Sequence, residues 1–126
     1  MITLALTSAL VLLAALAALQ VLVALGLPFG HFVWGGQHKV LPTRLRIASV
    51  VSVVLYAAIA AVLLSRAGVI PGGDSTFVLI TTWVLFGYFA LGILMNAISR
   101  SRPERFTMTP VTIALALATL IIAMTD

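Results

Sequence analysis

His31 and His38 carry the most versatile chemistry in this chain, since a neutral imidazole ligates metals and a protonated one moves protons near neutral pH. A helix would place this pair on one face, but Gly35 and Gly36 lie between them and break it. Zinc would also call for thiolates or embedded carboxylates, and the chain has no cysteine. A bis-histidine haem would draw its ligands from separate spans, whereas both histidines fall in one loop. No metal and no cofactor is therefore expected. Ser99 and Ser101 have no histidine–carboxylate pair beside them, and Tyr56 and Tyr88 have no neighbouring base. Glu104 in SRPER reads as a partner for the flanking arginines. With no catalytic set in view, the expected function is non-enzymatic.

Recognition is the remaining chemistry. The segment 26–46, GLPFGHFVWGGQHKVLPTRLR, is a loop by charge and glycine content yet is largely apolar and aromatic, so Phe29, Phe32, Val33 and Trp34 should not simply project into water. It is expected to lie at the headgroup level as an interfacial anchor, or to fold back on the protein as a re-entrant lid. Gln20, Ser49, Ser52, Asn96 and Thr112 fall at similar depths, forming either an interhelical hydrogen-bonded layer or the wall of a polar pocket. Roofed by His31, Trp34, Gln37 and His38 and ringed by Arg44, Arg46, Arg100, Arg102 and Arg105, such a pocket would favour an anion such as a lipid phosphate. Juxtamembrane arginines also arise from orientation alone.

The elements that must position these groups follow from composition. Of 126 residues, 63% are hydrophobic and 8% charged, with mean hydropathy +1.26, which defines an integral membrane protein and leaves no room for a separate soluble domain. Four spans are expected near 2–25, 45–64, 77–98 and 110–124, making residues 1–126 a single all-α membrane domain, a four-helix bundle. The first is read as a retained helix, because no basic residue precedes it and the run is too long for a signal core. Pro42 marks the start of the second span, and Thr109 with Pro110 reads as cap and first residue of the fourth. Six of the seven Lys/Arg lie between the first two spans (Lys39, Arg44, Arg46) or the last two (Arg100, Arg102, Arg105), placing loops 26–44 and 99–109 in the cytoplasm and both termini outside, with Arg66, Asp74 and Asp126. So lopsided a charge distribution argues against dual-topology insertion. Asp74, Glu104 and Asp126 all fall outside these spans, which removes the embedded acid a proton-coupled small multidrug exporter needs.

Lipid is as apolar as leucine, so close backbone packing must hold the helices together. Ala14/Ala18, Ala57/Ala61 and Ala114/Ala118 have small-xxx-small spacing, and Gly87 and Gly92 offer grooves on the third span. Trp83 is expected in the bundle rather than at the outer interface. Through PFGHFVWGGQHKVLPTRLRIAS and GYFALGILMNAISRSRPERFTMTP, with their WGGQH-x2-LP and N-x2-SRSRPER stretches, the chain resembles small bacterial four-span membrane proteins. That resemblance implies a bacterial inner-membrane location and four helices, and brings no reaction or ligand. The expected role is a membrane module whose basic cytoplasmic face binds an anionic lipid headgroup or a partner protein, with the bilayer as its solvent and no nucleic acid. A small homo-oligomeric channel or transporter is the alternative, since four spans seldom enclose a pathway alone.

Overall fold

The structure, a computed structural model, describes residues 1–125; Asp126 lies outside the described residues. Four helices account for most of the chain: α1 (Ile2–Ala24), α2 (Thr43–Arg66), α3 (Thr76–Ala97) and α4 (Arg102–Met124). All four are long and apolar enough to cross a membrane, at about 33–36 Å for a rise of 1.5 Å per residue. The protein is a multi-pass four-helix membrane bundle. Around it, α1 packs between α2 and α4, and α4 packs on α3; of the adjacent pairs, α2 and α3 are the least closely packed.

The fourth helix departs from expectation. It starts at Arg102, about two turns before Pro110, with Ser101 as N-cap and a proline in its first turn. Pro103, not Pro110, thus supplies the preorganised start. Pro110 sits inside the helix, and Thr109 caps nothing. An interior proline forfeits one i→i−4 hydrogen bond, a cost that packed membrane helices tolerate. The link between α3 and α4 shrinks from the expected 99–109 to four residues, 98–101.

The core occupies the half of the bundle nearer the chain termini. Ala5, Ala9 and Leu13 of α1, Ile59 and Leu63 of α2, Phe89 of α3, and Leu115, Ala116, Ala118 and Ile122 of α4 form one buried cluster. Small residues do line a contact face, but on α1 the pair is Ala5/Ala9. Ala14, Ala18, Ala57 and Ala61 point outward, and Gly87 has nothing near it. Alanine recurs on every side of α1 and α2, so spacing alone does not choose the face. Gly92 does meet α4: a Cβ there would lie 3.0 Å from Thr112 Cγ2. Trp83 is 42% exposed and stacks edge-on against Phe86 on the outer surface, not inside the bundle.

At the end of the core, Arg66 ties three segments together. It donates to the Gly73 carbonyl at 3.3 Å, the Ala123 carbonyl at 3.1 Å and the Thr125 carbonyl, placing a cation at the carbonyl-rich ends of α2 and α4. Ser75 Oγ caps the start of α3 by accepting from Val78 N–H at 3.1 Å. Replacing Arg66 with Met is expected to lower stability by about 1–3 kcal/mol, and Arg66→Lys to recover only part of it, as read by denaturant titration in detergent micelles.

Candidate functional site

The segment between α1 and α2 folds into two short 3-10 turns, Gly30–Phe32 and Trp34–Gly36, laid across the end of the bundle. Val33 and Leu41 are buried with Val23 and anchor it. Its polar backbone finds partners in the protein: Gly30 N–H donates to Lys39 O at 2.8 Å, and Gly35 N–H to Glu104 Oε2 at 3.2 Å. Ser101, the N-cap of α4, directs its hydroxyl to the His31 carbonyl instead of its own helix. Trp34 Nε1 donates to the buried Ser49 Oγ at 3.0 Å, and His31 Nδ1 donates to Gly36 O at 2.9 Å.

Two glycines make this docking possible. A Cβ on Gly30 would lie 2.0 Å from His38 O, and one on Gly36 would lie 2.2 Å from Ser101 Cβ. Gly36 ends a run of three positive φ angles, 53° at Trp34, 77° at Gly35 and 72° at Gly36. A bulky residue in that region is strained, and Trp34 is held there by its bond to Ser49.

Beneath the loop lies a cavity of about 940 Å³. Phe32, Trp34 and Gln37 roof it; Leu16, Leu19 and Gln20 of α1, Ser52 and Tyr56 of α2, Tyr88 to Asn96 of α3, and Glu104, Met108 and Thr112 of α4 wall it; Phe89 and Leu115 floor it. Its α3 edge is more than half exposed, at 51% for Tyr88 and 59% for Leu91 and Met95, so the cavity opens between α2 and α3 toward the lipid-facing surface. Most of the wall is apolar. Its polar groups gather toward the loop, with Gln20, Ser52 and Thr112 about one to three turns deeper.

The structure therefore brings together Trp34, Gln37, Asn96 and Arg100 with Gln20, Ser52 and Thr112. Asn96 Nδ2 donates to Thr112 Oγ1 at 2.9 Å, which donates to Met108 O at 2.6 Å. Ser49 lies outside the cavity wall, holding Trp34. His31, His38, Arg44, Arg46, Arg102 and Arg105 also lie off the wall. Arg46 donates to Leu41 O at 2.9 Å, and Arg105 donates to Ser99 O at 3.3 Å while resting on Phe106. The expected ring of five arginines reduces to one cation, Arg100, on the cavity itself.

Glu104 is the residue that sequence reasoning misplaced. It is 8% exposed, lies in the first turn of α4 and lines the cavity, and its hydrogen bond crosses to Gly35 instead of pairing with a neighbouring arginine. A helix N-terminus favours an anion there. The detectable signal was Ser101-Arg102-Pro103, a cap followed by proline, which carries Glu104 into the helix.

No family model, curated protein or solved structure matches the chain. The site must be read from its own groups. Gly30→Val is expected to undock the loop, with trypsin cleaving after Lys39 roughly tenfold faster while helical circular dichroism is unchanged, the change matching about 1.4 kcal/mol of local stability.

Proposed function

We propose that this protein is a non-enzymatic membrane module that holds one phosphate-bearing lipid at its loop-capped end. The carrying observation is the cavity: about 940 Å³, apolar along most of its wall, polar under the loop and open between α2 and α3. Ligand sites of this kind are concave and mostly apolar, with a few placed polar groups. The upper part of an acyl chain would lie along Leu16, Leu91 and Met95, with the phosphate at Arg100, the one guanidinium on the wall. Consistent with the charge distribution and with the resemblance to small bacterial four-span proteins, the capped end faces the cytoplasm of a bacterial inner membrane, and both termini face outward.

A small oligomeric transporter is the second reading, favoured by one observation. Glu104 puts a buried carboxylate on the cavity wall, where the loop assignment had left none. Against it, the other half of the bundle is filled by the apolar cluster, and the hydroxyls of Thr81 and Thr82 bond their own helix at Phe77 O and Val78 O. A proteoliposome flux assay showing conductance for protons or small ions would favour this reading over lipid retention.

Native mass spectrometry of protein extracted with lipid should show one phospholipid per chain. Ser52→Phe, which fills the cavity, and Arg100→Gln should each reduce retention by roughly tenfold, whereas Arg44→Gln should leave it unchanged. Retention in Ser52→Phe equal to wild type would exclude the cavity as the site. Orientation is testable because the chain has no cysteine. In intact cells an impermeant maleimide should label Asp74→Cys and spare Lys39→Cys; the reverse pattern would invert the topology.

A further inference from the structure

We infer that the lipid held here carries a primary ammonium in its headgroup, bound by Glu104. This rests on the lipid reading of the cavity. Glu104 is 8% exposed and lines the cavity. The Gly35 amide engages Glu104 Oε2, which leaves Oε1 without a hydrogen bond among the described residues. Buried polar groups are rarely left unpaired, so an acceptor left free on a cavity wall marks where a ligand's donor belongs.

The chemistry of this acceptor narrows the ligand. A carboxylate in a weakly polar cavity favours a cation over a neutral donor, and it repels a headgroup whose only charge is its phosphate. A phosphoglycerol headgroup fits poorly for that reason. A trimethylammonium group has the charge but no N–H to give to Glu104 Oε1. A phosphoethanolamine headgroup supplies both: its phosphate meets the exposed Arg100 at the mouth, and its ammonium reaches inward to Glu104. The aromatic faces of Trp34, Tyr56 and Tyr88 on the same wall also favour a cation.

The test offers the full-length protein, in detergent micelles, an equimolar mixture of phosphoethanolamine, phosphoglycerol and phosphocholine lipids with matched chains, and reads bound lipid by native mass spectrometry. Wild type is expected to retain the phosphoethanolamine lipid roughly tenfold over either of the others. Glu104→Gln keeps an acceptor for Gly35 N–H and should flatten the preference to within about twofold through loss of the phosphoethanolamine lipid. An undiminished preference in Glu104→Gln overturns the inference. So does a proportional loss of all three lipids with faster trypsin cleavage after Lys39, which would make Glu104 a support for the loop alone. A wild-type preference for either other headgroup also overturns it. Wild type retaining no lipid of any class would instead overturn the lipid reading beneath it.

Discussion

Irregular backbone beside an apolar phase must find its hydrogen bonds inside the protein, because lipid offers none. The segment joining α1 and α2 meets this constraint on the first turn of α4. Gly35 N–H reaches the Glu104 carboxylate, the Ser101 hydroxyl reaches the His31 carbonyl, and Gly36 lies so close to Ser101 that a side chain would not fit. A charge-assisted bond to a carboxylate is stronger than one between neutral groups, and at a helix N-terminus the dipole favours the same anion. The roof of the cavity therefore depends on where α4 begins.

The two ends of the bundle solve the same problem with opposite charges. At one end the cation Arg66, on the last turn of α2, gathers carbonyls from the end of α4 and from the turn between α2 and α3, and the interior there is closed by Leu63 and Ile122. At the other end the anion Glu104 gathers a loop amide, and a cavity remains beneath the loop. Close packing of small residues holds α1 to its neighbours near Ala5 and Ala9. No such face joins α2 to α3, and the cavity opens at that gap.

Much of the fold was legible from composition. Runs of some twenty apolar residues must be spanning helices, since a helix satisfies its own backbone in lipid. The polar layer was also partly legible, because Gln20, Ser52, Asn96 and Thr112 all line the cavity, although they lie from less than one to about three turns from their helix ends. Faces were not legible. Hydrophobic periodicity distinguishes core from surface only when the surface faces water, and the outward alanines of α1 and α2 are as apolar as the inward ones.

The start of α4 shows the same limit from another side. Charge in SRPER suggested a loop, and Pro110 suggested a helix start, yet both belong to a helix whose first turn is anchored by contacts distant in sequence. Sequence by itself determined four membrane helices, a basic pair of connections and a glycine-broken aromatic loop, because these follow from transfer free energy and local backbone chemistry. Only the tertiary structure decided that Glu104 is buried under that loop, that four of the five arginines lie off the cavity wall, and that α2 and α3 part to leave an opening. Those outcomes depend on contacts across the bundle, such as Gly35 with Glu104, 69 residues apart, which no local pattern encodes.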